Sequence, residues 1–153
     1  MHGSQVARLI ERLDAEIAGS EGVLERERLK ARRAAVLARH GQFAEARFAL
    51  TGLRTQAQRL REPGLSAWAN LVEGLIEHCE SLSPGAGARF RRAHELAETT
   101  DDALLRAECA AWLSLAEINA GEPEAMAAHA ALAMRIAPEG AHSARARAAL
   151  VIG

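Results

Sequence analysis

The chain has 153 residues with 19 Lys+Arg against 20 Asp+Glu, a net charge of −1. That is room for one ordinary domain, and a balanced charge draws the chain to neither nucleic acid nor an anionic membrane surface. Thirty-five alanines and 19 leucines against 5 valines, 6 isoleucines and 4 threonines exclude a sizeable sheet; they predict an all-α fold with a thin, alanine-rich core.

The first helix is read from Val6, Leu9, Ile10, Leu13 and Ile17, a single apolar stripe, with Ser4 as its cap and Gly19 at its end. Ser20 is expected to cap a second helix running to about Arg39, stopped at His40-Gly41, and a third runs from about Gln42 to Arg61, halted by Pro63-Gly64. The fourth carries Leu65, Trp68, Val72, Leu75, Ile76, Cys79 and Leu82 on one face. Ser83-Pro84 is expected to open a fifth helix to about Thr99, and Asp101 to cap a sixth that reaches Ala120-Gly121. Glu122-Pro123 opens a seventh, closed by Pro138-Glu139-Gly140, and an eighth starts near His142-Ser143.

Every connection is short, so successive helices are antiparallel neighbours, in either a closed bundle or a stack of hairpins. Ala46-Arg47-Phe48 recurs as Ala88-Arg89-Phe90, 42 residues later, and the breaks at Gly41, Ser83-Pro84 and Gly121 are separated by 42 and 38 residues. A period near forty favours the stack.

The segments Arg39-His40-Gly41-Gln42-Phe43-Ala44-Glu45-Ala46 and Asn119-Ala120-Gly121-Glu122-Pro123-Glu124-Ala125 resemble the turn of a tetratricopeptide repeat (TPR), in which a Gly precedes a short acidic turn and an Ala begins the second helix. Pro63 and Pro138 sit near the place of its repeat-ending proline, and Trp68 near its large residue early in the first helix. The spacing is similar to the longer variant found in regulatory regions of bacterial signalling and transcription proteins. The resemblance implies an α-α superhelix, a right-handed stack of antiparallel hairpins with about seven or eight helices. Residues 1–22 would form an N-terminal cap, 23–64, 65–100 and 101–140 the hairpins, and 141–153 the start of a truncated one.

Catalytic signatures are missing: there is no nucleophile elbow, no HExxH and no phosphate loop. Cys79 and Cys109 lack CxxC spacing, which excludes a disulfide framework; two half-buried free thiols are the expected state, with a single bridge between them as the alternative. The histidines form no i,i+3 or i,i+4 ligand pair and are expected at the surface or at helix ends. No metal or cofactor is therefore expected. The segment Met1–Gln5 leads into charged residues, and no apolar run has signal-peptide or membrane-span length, which points to a cytoplasmic protein.

Charge patterning supplies the candidate site. Asn70, Glu73, Glu77 and Glu80 recur along one side of the fourth helix, opposite its apolar face, and Arg28, Arg32 and Arg39 share a face of the second. Since the first helix of each hairpin lines the concave groove of a tetratricopeptide fold, the resemblance implies that Asn70, Glu73, Glu77 and Glu80, with Arg28 and Arg39 beside them, form the partner-binding surface. The alternative is a set of solvated or mutually neutralising faces. Residues 1–62 carry 12 basic against 8 acidic side chains and residues 63–153 carry 7 against 12, a polarity that favours association between copies. Leu150, Val151 and Ile152 end the last helix uncovered and are expected to form a homodimer interface. The function expected is non-catalytic: binding of a peptide or partner protein. The alternatives are a closed helical dimerisation module and, less favoured, a small all-helical enzyme or metal protein.

Overall fold

The computed structural model describes residues 2–138 together with Arg145 and Ala148. Its regular elements are all helical: α1 (His2–Gly19), α2 (Val23–Arg39), α3 (Phe43–Leu60), α4 (Pro63–Ser81), α5 (Ala86–Ala97), α6 (Ala103–Asn119) and α7 (Pro123–Ile136). The all-α expectation holds, and the helices follow the order read from the sequence. The eighth helix, and with it Leu150, Val151 and Ile152, lies outside the described residues.

The helix ends have local causes, some different from those expected. Pro63 and Pro123 occupy the first turns of α4 and α7, where the missing N–H costs nothing. Gly41 (φ 84°) and Gly121 (φ 72°) end α2 and α6 in the left-handed region, so that Gln42 N donates to Leu37 O at 2.9 Å and Glu122 N to Glu117 O at 3.0 Å. Ser4 lies inside α1, and the residue before α2 is Gly22, which offers no side-chain cap. Ser83 sits ahead of α5, its Oγ accepting from Gly85 N at 3.2 Å rather than from the helix. The cap of α6 is Asp102, not Asp101: Oδ1 accepts from Leu105 N at 3.1 Å and Oδ2 from Trp68 Nε1 at 3.4 Å, which ties the cap to α4.

The helices pack in two rows. α2, α4 and α6 form an inner row in which α4 touches both others, and α1, α3, α5 and α7 form an outer row, each seated on the inner helices next to it in sequence. No two outer helices approach each other backbone to backbone, and α1 and α7 meet only α2 and α6 respectively among the described elements. A closed bundle would bring the first and last helices together; this arrangement is an open stack.

Burial reveals the repeat. On the outer helices the buried residues are Leu13 in α1, with Val6, Ile10 and Ile17 half-buried beside it, Ala46, Leu50, Leu53 and Ala57 in α3, Ala86, Phe90, Ala93 and Ala97 in α5, and Ala130, Ala133 and Ala137, with Met126 half-buried, in and just after α7. Each set follows the last by 40 residues. The verbatim Ala-Arg-Phe match is two residues out of phase with this register: Phe48 is 85% exposed while Phe90 is 1% exposed. Small residues on the inner row keep the rows close. A Cβ placed on Gly74 would stand 2.6 Å from the Phe90 ring, and the residues forty before and after it are Ala34 and Ser114. At the far end Ala148 is fully buried against Ala107, Ala110 and Ala111 of α6 and Ala130 and Ala133 of α7, and Arg145 donates to Ala137 O at 2.9 Å.

Candidate functional site

Because the outer helices stand apart, a furrow runs between each neighbouring pair, floored by one face of an inner helix. Residues at 3.6-residue spacing supply each floor: Lys30, Arg33, Leu37 and His40 in α2, Asn70, Glu73, Glu77 and Glu80 in α4, and Ala110, Leu113, Glu117 and Ala120 in α6, again forty apart. The walls come from faces of the outer helices on either side of their buried stripes.

In the furrow between α3 and α5 the floor is acidic and the walls are basic. Glu73, only 18% exposed in its side chain, pairs with Arg54 from α3 and with Arg89 from α5, whose Nη2 stands 3.2 Å away. Arg89 also reaches Glu77 at 3.5 Å, and Glu80 pairs with Arg47 of α3. Asn70 donates back to Ser66 O at 2.9 Å within its own helix. The structure thus brings Asn70, Glu73, Glu77 and Glu80 together on one floor, and each of the three glutamates has arginine partners. It does not bring Arg28 and Arg39 to them. Those lie roughly 220–240° round α2 from Arg33, on the side away from its furrow. Arg39 instead reaches across the inner row to Glu108 of α6 at 3.8 Å. Burial pulls the Arg39 guanidinium below its ordinary pKa, with Glu108 opposing. Arg28 is half-buried on the same face.

The furrow between α1 and α3 inverts those charges. Arg33 on the α2 floor is held by Asp14 of α1 at 2.7 Å and by Glu45 of α3 at 4.0 Å. Asp14–Arg33 and Arg54–Glu73 are equivalent pairs: both partners move by forty residues and both signs reverse. Beside this bridge the furrow is open, and a second opening follows between α2 and α3. Towards the α2 C-terminus a cavity of about 660 Å³ is lined by Val6, Ala7, Ile10 and Glu11 of α1, Leu37 and His40 at the end of α2, and Gln42 and Glu45. Towards the α2 N-terminus a second cavity of about 310 Å³ lies among Glu27, Lys30, Phe48, Ala49, Gly52, Leu53 and Gln56.

The furrow between α5 and α7 holds the residues that sequence reasoning missed. Glu117 is buried, and its Oε1 lies 2.6 Å from His129 Nδ1. The His129 ring meets that of His94 edge to face at 5.0 Å between centroids, and His94 Nδ1 is 3.9 Å from Glu98. Burial, with His129 adding to it, lowers the His94 pKa from its ordinary value, against the opposing pull of Glu98, Glu117 and Glu95. Both histidines are half-buried; His94 stands in the last turn of α5, a helix end as expected, whereas His129 lies in the middle of α7. His78 of α4 likewise packs edge-on against Phe90 and Trp112. The signal available beforehand was the spacing: Glu77 and Arg89 recur as Glu117 and His129, forty residues on. Among the described residues no group of three or more His, Cys, Asp or Glu side chains is placed to hold a metal ion. Neither cysteine is in a disulfide. Cys79 is half-buried as expected, but Cys109 is fully buried, and burial pushes its thiol well above the ordinary value, so it is no nucleophile at neutral pH. No described helix is long and apolar enough to cross a membrane.

Compared with known proteins, the chain matches no family model, no curated protein and no solved structure.

Proposed function

We propose that the chain is a non-catalytic helical-repeat scaffold, of the tetratricopeptide type that its turns resemble, which binds a peptide or partner protein as part of a cytoplasmic bacterial regulatory system. The observation that carries this reading is the forty-residue recurrence of the buried and half-buried positions on α1, α3, α5 and α7. A stack built that way repeats its surface along with its core, and such surfaces serve extended recognition. The charged floors at Arg33 and at 70, 73, 77 and 80 stand in the same register and are opposite in sign, which suits a partner carrying both charges. Arg28 and Arg39 belong to a separate surface on the inner row.

The test is affinity capture on the intact chain from a lysate of its native cell. It is repeated with Glu80→Lys, on the furrow between α3 and α5, and with Phe48→Glu, on the furrow between α1 and α3; both sites are exposed enough to leave the fold unchanged. A stoichiometric partner, retained less in one of the variants and released by salt, supports the scaffold. Failure to retain any protein above a beads-only control, or equal retention by the wild type and both variants, would overturn it.

A further inference from the structure

We infer that the furrow between α1 and α3 is a docking site for an amphipathic helix of a partner protein, apolar on its inward face and flanked by Lys or Arg. This rests on the scaffold reading and names the partner chemistry within it. Three furrows are equivalent by the forty-residue register, and two are filled by the chain itself. Arg54 and Arg89 lie over Glu73 in one, and His129 and His94 over Glu117 in another. In the furrow between α1 and α3 the walls close over the floor at Arg33, through Asp14 and Glu45, and a cavity stays open beside that bridge. Ala49 stands where the register places Arg89 and His129, and Leu37 stands where it places Glu77 and Glu117. What remains is a cavity with Val6, Ile10 and Leu37 along it, and next to it along α2 a second cavity, between α2 and α3, at whose rim Phe48 has 85% of its surface in solvent.

Shape and charge select the occupant. Val6 and Ile10 are one helical turn apart, and the two cavities lie along successive turns of α2, so apolar residues spaced i, i+3/i+4 and i+7 on an incoming helix would meet both. The charged groups facing the furrow are Glu11, Asp14, Glu27 and Glu45 against Lys30 and Arg33, an excess of two negative charges. Arg33 is already shared by Asp14 and Glu45, and Lys30 by Glu27 at 3.3 Å. The exposed carboxylates of Asp14 and Glu45, 53% and 61% in solvent, are therefore open to cations from a partner. The neighbouring furrow displays the same chemistry within the chain, arginines from the walls closing over a carboxylate.

A displayed library of random 16-residue peptides, selected on the intact chain and counter-selected on Phe48→Glu, tests this. The expected peptides are helix-forming, net positive and apolar at i, i+3/i+4 and i+7. Synthesised and labelled, they should bind the wild type with an anisotropy change, lose roughly tenfold in affinity on Phe48→Glu and on the double variant Glu11→Lys/Glu45→Lys, and keep full affinity on Glu80→Lys. Circular dichroism melts of each variant separate lost docking from lost fold. Because Phe48 is exposed and the two glutamates are surface residues, the melts should stay within a few degrees of wild type. Enrichment of nothing, of acidic peptides, or of peptides that bind Phe48→Glu as well as wild type would overturn the proposal. So would Phe48-dependent self-association of the chain, which would assign the furrow to a second copy. If the lysate partner is retained equally by wild type and Phe48→Glu while Glu80→Lys releases it, the scaffold reading stands and this assignment falls.

Discussion

At Gly74 the chain allows no side chain because the Phe90 ring lies where a Cβ would go, 2.6 Å from Cε1 and 2.8 Å from Cδ1. The ring is fully buried and stacked on Trp112 at 5.6 Å between centroids, so it cannot swing aside. Gly74→Ala should therefore cost about 1–3 kcal/mol by overpacking, read from chemical denaturation. The first hairpin solves the same contact with Ala34 and Leu50. Gly74→Ala combined with Phe90→Leu copies that solution and should recover part of the loss; full additivity of the two single losses would show that the two positions do not face each other. His94 sets a second residue-scale expectation. Burial and His129 hold its folded pKa below the unfolded value near 6.5, so the native state binds fewer protons than the unfolded state in the window below that value. Stability is unaffected by His94 above about pH 6.5 and falls as pH drops through that window towards the lowered folded value. A His94→Gln variant should show a shallower decline of melting temperature from pH 7 to pH 5 than wild type. Parallel curves would place His94 in a solvated site.

On the scale of the element, one geometric slot serves opposite charges. Asp14–Arg33 joins α1 to α2, and Arg54–Glu73 joins α3 to α4, across the same 19 residues. The backbone frame evidently has no preference of sign; only complementarity between wall and floor matters. Glu73→Arg alone would face Arg54 and Arg89 with a third cation and should lower stability by on the order of 1 kcal/mol, since the site is partly screened. Arg54→Glu with Glu73→Arg recreates the polarity of the first furrow and should regain part of that loss, less the repulsion left with Arg89. A double-mutant cycle in thermal or urea melts measures the coupling, which should be favourable and shrink with added salt. The three-glutamate reversal suggested by the sequence pattern is a poorer probe of binding than Glu80→Lys alone for this reason: it also breaks the less exposed pairs of Glu73 with Arg54 and Arg89.

For the whole molecule, stacking without closure predicts an elongated particle. A compact chain of this length has a radius of gyration of about 15 Å, and small-angle scattering from the monomer should exceed that, because α1 and α7 stand at opposite ends of the described stack. A value at or below the compact figure would mean that the ends fold back on each other. The class of fold, the helix order and the positions of most breaks were legible beforehand, because alanine and leucine content, proline at first turns and glycine after last turns act within a few residues of where they sit. The four carboxyl and amide side chains at 70, 73, 77 and 80 were legible as one face for the same reason. The repeat was legible in its length but not in its phase. The matching letters were Ala-Arg-Phe, whereas the matching positions run from Val6, Ile10, Leu13 and Ile17 to sets made largely of alanine, which a search for large apolar residues passes over. What only the tertiary structure decided is where each face points. That Arg39 reaches Glu108, that Glu73 lies under Arg54 and Arg89, and that Glu117 meets His129 beside His94 depend on which helix lies across from which. That pairing arises because small residues let two rows of helices approach closely while the outer row stays split, a balance of side-chain volumes summed over the stack that no local pattern contains.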